Sequence, residues 1–263
     1  MHIRMLQIHK IDETKMMNKE TIVLNFNKAA LDYENIASVQ KKSASYLVQC
    51  LNKIVPNFAP AVILDIGAGT GIVTKLLLPQ FPVANYILND LSPNMLEMAK
   101  NTLCNNTKIE YVIGDAENIN FQSVDLAISN LCFQWFTNFE ESVNKLWKNT
   151  KILAFSTLSS KTFNQWNKLY YKLGLIDHEI RDYPTNQELE TYCLGLQPTN
   201  YFFHHLTYKL VFNDALSFLR YLKKLGANTP TARARKDYLK IVIQSQKQPL
   251  TISYKIFFAL LIK

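Results

Sequence analysis

Three carboxylates stand where three successive apolar runs end: Asp65 in "VILDIGAGTGIVTKLL", Asp90 in "NYILNDL" and Asp115 in "IEYVIGDAENI". Behind the first lie Gly67, Gly69 and Gly71, at alternate positions in a chain that has only 7 glycines. Glycines so placed let the backbone turn sharply and approach a ligand closely. A dinucleotide loop has the spacing G-x-G-x-x-G and offers its helix N-terminus to a pyrophosphate, for which a preceding acid provides nothing attractive. Here G-x-G-x-G follows an acid, which suits a ligand with a cationic end and no phosphate. S-adenosylmethionine, with a ribose, an ammonium and a sulfonium, has that chemistry. Asp90 lies about 20 residues past the glycines, where an acid takes ribose hydroxyls. Asp115 is placed to accept from an adenine amino group, or else is a turn-forming residue after Gly114. Asn130, after a fourth apolar run, is expected to face the space between this ligand and a second substrate.

Such residues converge only if the elements bearing them lie side by side. "AVILDI", "NYILNDL", "IEYVI", "VDLAISN" and "KILAFSTL" read as strands, alternating with helical stretches such as "GIVTKLLLPQF" and "NFEESVNKLWKN". Ser92 and Pro93 supply an N-cap and a first-turn proline for the helix "SPNMLEMAKNTL". This alternation predicts a mostly parallel, doubly wound sheet covered on both faces, an α/β fold whose ligands sit outside the carboxyl ends of the strands. Apolar residues at helical spacing from about Asn35 to Ile54 predict an amphipathic helix before it. A helical region at Phe163 to Leu173, a strand at "HHLTYKLVF", a helix at "DALSFLRYLKKLG" and a strand at "TISYKIFFALLI" follow. The expected organisation is one seven-stranded domain: an extension over 1–16, a helical cap over 17–58, a cofactor-binding core over 59–155, a lid or substrate insert over 156–205, and C-terminal strands and helix over 206–263.

A content of 48% hydrophobic residues in 263 supplies a full core. No run approaches the roughly 20 apolar residues of a membrane span, and the N-terminus interleaves charges with apolar residues, so a soluble cytoplasmic protein is expected. Cys50, Cys104, Cys132 and Cys193 form no C-x-x-C pair and read as reduced, mostly buried thiols. His204 and His205 are adjacent on a strand, so they point to opposite faces and do not share a metal; no metal site is expected. The net charge of +8 fits nucleic acid, an anionic cofactor or an acidic carrier protein, although the Lys, Asn and Ile bias of the chain weakens that inference.

The strand, acid, glycine and helix order resembles that of class I S-adenosylmethionine-dependent methyltransferases. "FNKAALDYENIASVQKKSASYLV", "DLAISNLCFQW", "FSTLSSKTFNQW" and "DALSFLRYLKKLGAN" are similar, more narrowly, to the malonyl-acyl-carrier-protein O-methyltransferases of biotin synthesis. The resemblance runs from about Asn18 to the C-terminus; residues 1–16 have no counterpart, and Met17 is an expected functional start. Ala68 and Thr70 stand where the family often has Cys or Pro, and "KNTK" replaces a Gly-rich turn, with Asn149 able to take a left-handed conformation.

The resemblance implies methyl transfer to the free carboxylate of a malonyl thioester, on carrier protein or coenzyme A, leaving S-adenosylhomocysteine. It implies cofactor contacts from Tyr33, Ala68, Leu91, Met95 and Ala116 beside Asp65, Gly67, Gly69, Asp90, Asp115 and Asn130. Tyr33 would fold over the cofactor, and is otherwise a core aromatic. Gln134 and Trp135 would form the substrate wall. Arg181, with Arg220 second, would receive the carboxylate, since arginine offers a bidentate fork. Lys223, Lys224, Arg233, Arg235 and Lys236 would meet an acidic carrier, or form a solvated face. A monomer acting without nucleic acid or membrane is expected. The competing readings are a methyltransferase for another small carboxylic acid or for nucleic acid, which lacks support from any amine-methylating or Pro-Cys motif, and a non-catalytic cofactor-binding protein.

Overall fold

The computed structural model describes residues 19–104, 106–175, 182–228 and 236–263, the side chain of Lys236 excepted. Seven strands form one sheet: β1 (Val62–Ile66), β2 (Asn85–Asp90), β3 (Ile109–Ile113), β4 (Val124–Asn130), β5 (Thr150–Leu158), β6 (Asn200–Phe212) and β7 (Leu250–Ile262). Their order is β3-β2-β1-β4-β5-β7-β6. The first five pair in parallel, whereas β7 runs antiparallel between β5 and β6. Chain order reverses between β1 and β4, so a crevice opens at their carboxyl ends. The expected doubly wound, mostly parallel sheet is the architecture found.

Period-two alternation sorts the strand residues between the two faces. Ile63, Tyr86 and Leu88 join the core beneath α3 (Ser38–Ile54), α4 (Ile72–Leu77) and α5 (Pro93–Thr102). Leu64 and Ile66 join the opposite core with Val143, Leu146 and Trp147 of α6 (Phe139–Lys148). β7 feeds both layers, with Phe258 and Leu260 on one side and Phe257 and Ala259 on the other. Ser92 caps α5, accepting from the Met95 N–H, with Pro93 in the first turn.

Several expectations need adjusting. Before α3 lie α1 (Lys19–Ala29) and α2 (Tyr33–Ile36), neither of which was expected as a separate helix. The span 156–205 begins within β5 and ends within β6. It holds α7 (Asn164–Lys172) and α8 (Asn186–Gly195), and α8 buries Leu189 and Cys193 in the sheet core. Between β6 and β7 lie α9 (Ala215–Lys224) and the unexpected α10 (Lys236–Ser245). Asn149 has φ −106°, so the turn into β5 is made without a left-handed residue. Cys50 and Cys193 are buried, Cys132 is half-buried and Cys104 is exposed, so the thiols are less uniformly buried than expected. His204 meets the Tyr46 hydroxyl at 2.8 Å while His205 lies 4.0 Å from Glu190, on different helices and therefore different faces. Among the described residues, no helix is long and apolar enough to cross a membrane.

Candidate active site

The glycine loop leaves β1 with three left-handed residues, Gly67, Gly69 and Gly71. Gly67 has φ +64°, and a Cβ there would stand 2.3 Å from Cys132 Sγ, so the loop packs against the chain leaving β4 more closely than any side chain allows. Gly69, at φ +57°, has open space in front of it. Its N–H donates to Asp90 Oδ2 at 2.8 Å, and the Ser92 N–H donates to Oδ1 at 2.8 Å. These bonds hold the Asp90 carboxylate at the mouth of the crevice. Burial raises its pKa, and the backbone donors oppose that rise.

A cavity enclosing about 660 Å³ of non-atom space, part of it open to solvent, lies over this loop. Its floor includes Gly67, Gly69, Asp90 and Asp115, with Leu91, Met95 and Ala116 supplying apolar surface and Asn130 bounding it at the end of β4. Asn130 is anchored from both ends of its amide: Nδ2 donates to the Gln40 carbonyl at 3.1 Å, and Oδ1 accepts from Ser156 Oγ at 2.9 Å. Carboxylates, exposed backbone and apolar walls in this arrangement can hold an adenosine with a cationic tail.

Two expected contacts do not line the cavity. Asp65 is 1% exposed and accepts from Thr74 Oγ1 at 2.7 Å, so it lies behind the loop. Burial pushes its carboxyl up to about 7, opposed by the Thr74 hydrogen bonds. Ala68 is also buried; its N–H donates to the Asn89 carbonyl at 2.9 Å and secures the loop to β2. Both support the site from beneath.

The roof comes from the N-terminal helices. Lys19, Ile22 and Phe26 of α1 and Tyr33 of α2 line the cavity. Lys19 Nζ lies 2.6 Å from Glu117 Oε2 and 3.4 Å from Asp115 Oδ2, and Asn27 Oδ1 accepts from Ser92 Oγ at 2.6 Å, so polar contacts fasten α1 at two places. Burial alone would raise the Glu117 pKa, but hydrogen bonds from Lys19 and the N–H groups of Thr137 and Asn138 hold it below the usual range. Burial, with the charge of Asp90, raises the Tyr33 pKa and keeps that hydroxyl protonated.

A second cavity adjoins the first, and Phe26, Tyr33, Leu131 and Trp135 line both. Trp135 and Phe26 meet edge to face at 5.5 Å. Gln134 lies in the second cavity as expected, but its Nε2 donates to the Leu131 carbonyl and its Oε1 accepts from Thr157 Oγ1 at 3.4 Å, so both ends of its amide are engaged. Arg220 is exposed on α9 and lines neither cavity. Arg181, Arg233 and Arg235 lie outside the described residues, as does the side chain of Lys236; Lys223 and Lys224 are exposed on α9.

Sequence reasoning missed Lys19, Ile22, Phe26, Phe136 and Cys132 around the first cavity and Gln40, Phe163, Tyr183 and Tyr254 around the second. The i, i+4, i+7 spacing of Ile22, Phe26 and Ala29 signals an apolar helix face. Nothing local marks Tyr254, which reaches the site because β7 returns antiparallel between β5 and β6.

Residues 64–152 match the methyltransferase domain family. The chain is 30% identical over 242 residues, covering 92% of this chain and 96% of the relative, to the malonyl-[acyl-carrier protein] O-methyltransferase of Neorickettsia risticii. It is 35% identical to the enzyme of the same name from Priestia megaterium, covering 68% of each. Among solved structures it is similar in fold to a putative methyltransferase of Bacillus halodurans, with a TM-score of 0.57, 16% identity and coverage of 84% of this chain and 99% of that one. The plantazolicin methyltransferase BpumL, solved with S-adenosylhomocysteine, gives a TM-score of 0.54 at 17% identity, covering 97% of each chain.

Proposed function

The chain belongs to the malonyl-[acyl-carrier protein] O-methyltransferase family, and from that membership we propose that it transfers the methyl group of S-adenosylmethionine to the free carboxylate of malonyl-acyl carrier protein, in biotin synthesis. The observation that carries this reading is the pair of adjoining cavities, one bordered by Asp90, Asp115 and the glycine loop, the other reached past Trp135 and Tyr33.

In this reading Asp90 accepts the ribose hydroxyls and Asp115 the adenine amino group, while Leu91, Met95 and Ala116 enclose the base. Gly67 and Gly69 admit the amino-acid end, and Asp65 contributes negative charge from beneath. The cofactor supplies an electrophilic methyl on a sulfonium. A malonyl carboxyl, with an ordinary pKa near 4, is already ionised at neutral pH, so no general base is required. The protein's contribution is alignment and exclusion of water. Holding two reactants in line can supply several kcal/mol of the barrier reduction, and the roof of α1 and α2 encloses the place where they meet.

The exposed Lys223 and Lys224 support docking of an acidic carrier protein by charge complementarity. The same reading takes the protein as a cytoplasmic monomer organised as a single domain. The test offers labelled S-adenosylmethionine with malonyl-carrier protein, malonyl-coenzyme A and free malonate. Methyl ester on the carrier-bound substrate is the expected product, and a Lys223→Glu, Lys224→Glu variant should raise KM for it several-fold without changing KM for malonyl-coenzyme A. Folded protein that binds cofactor yet esterifies none of the three would refute the assignment.

A further inference from the structure

The second cavity has polar walls without formal charge. Among the described residues that line it there is no lysine, arginine, aspartate or glutamate. One of its polar atoms, Gln40 Oε1, is buried without a partner, on a residue 9% exposed. The Tyr254 hydroxyl, on a residue 3% exposed, has only the neighbouring Tyr221 hydroxyl to interact with, and neither forms a hydrogen bond of good geometry. A buried polar atom left unsatisfied is costly, and native structures seldom tolerate one unless a ligand or a functional role accounts for it. Here Gln40, with its unpartnered oxygen, and the poorly engaged Tyr254 line the same small space, next to the wall shared with the cofactor cavity.

Their chemistry suits the substrate. Burial raises the Tyr254 pKa well above its ordinary value, so the hydroxyl stays a donor at every physiological pH. A glutamine amide carries a donor and an acceptor that exchange places by a half-turn of the side chain, so Gln40 can present N–H to an incoming oxygen. A malonyl thioester brings only acceptors: two carboxylate oxygens and the thioester carbonyl. Gln134, the residue expected to orient it, is already engaged at both ends by Leu131 and Thr157.

We propose that Gln40 and Tyr254 orient the malonyl group through hydrogen bonds, and that the side chains holding it in this cavity are neutral donors. This rests on the methyltransferase reading above. A bidentate guanidinium would hold the carboxylate in a strong charge-assisted ion pair and so lower its nucleophilicity, whereas neutral donors orient it without one. The ester formed is uncharged, and no ion pair has to be broken in forming it.

The test is calorimetric titration of malonyl-carrier protein into protein saturated with S-adenosylhomocysteine, which cannot react. Tyr254→Phe and Gln40→Leu should each weaken that binding roughly 10- to 150-fold, the range for hydrogen bonds to a charged group, and leave the dissociation constant for S-adenosylhomocysteine within twofold. Tyr254→Phe also removes the neighbour of the Tyr221 hydroxyl, so a purely structural role would lower the melting temperature while leaving substrate affinity unchanged. Gln40→Glu should weaken binding further by charge repulsion, and serves if Gln40→Leu does not fold. Wild-type-like binding by Tyr254→Phe and Gln40→Leu, with binding lost in Arg181→Ala, would overturn the proposal. Failure of the unaltered protein to bind or methylate any malonyl substrate would count against the methyltransferase reading instead.

Discussion

Replacing Asp65 with asparagine should stabilise the ligand-free protein at neutral and alkaline pH while weakening its hold on the cationic cofactor. The side chain is 1% exposed, and burial pushes its carboxyl up to about 7 against the pull of the Thr74 hydrogen bonds. In the unfolded chain an aspartate titrates near 4. Between about pH 4 and pH 7 the unfolded chain therefore gives up a proton that the folded protein keeps, and stability falls as pH rises through that window. A shift of about three units, at 1.36 kcal/mol each, amounts to about 4 kcal/mol. Asparagine keeps an oxygen for Thr74 and has nothing to ionise. The stability difference between Asp65→Asn and the unaltered protein should thus grow by about 4 kcal/mol from pH 4 to pH 7 and stay level above. Urea unfolding at a series of pH values measures it, and titration with S-adenosylmethionine gives the affinity lost. A difference that does not change with pH would show that burial does not hold the Asp65 proton in the folded protein.

Gly67→Ala places a Cβ 2.3 Å from Cys132 Sγ, well inside the usual contact of about 3.5 to 4 Å, at a φ of +64°. Cofactor binding should be lost, and stability should drop by the 1–2 kcal/mol or so of left-handed strain plus the clash. In a Cys132→Gly background the clash component should disappear; a double-mutant cycle with no coupling would mean that close approach is not what demands glycine. Lys19→Met removes the partly exposed bridge to Glu117 and Asp115. It should cost only about 0.5–1 kcal/mol, yet speed amide exchange across residues 19–29; unchanged exchange there would remove Lys19 from the fastening of the roof.

The cofactor half of the site was legible because it is built locally. Each of Asp90, Asp115 and Asn130 lies at or just beyond the end of its own strand, and parallel pairing from β3 through β5 brings those ends together. Gly67 and Gly69 were legible because left-handed backbone excludes most other residues. Asp65 shows the limit of that logic: it lies next to the glycine loop in sequence, but whether its carboxylate faces the cavity or Thr74 depends on how the loop closes. Arg220 shows another limit, since a guanidinium on an amphipathic helix can face solvent or substrate, and here it faces solvent.

By itself, then, the order of apolar runs, acids and glycines determined the α/β class, the switch-point crevice and the kind of cofactor it suits, since these follow from backbone periodicity and short-range stereochemistry. The second cavity was decided only by tertiary structure. Its walls come from α1, α2, α3 and the chain after β4, from Phe163 and Tyr183, from residues after α9, and from Tyr254 on the antiparallel β7. No local pattern specifies that Gln40 and Tyr254, 214 positions apart by number, meet the same space, because their meeting depends on long-range packing. Whether a polar side chain finds a partner there or is left for a ligand depends on that packing too.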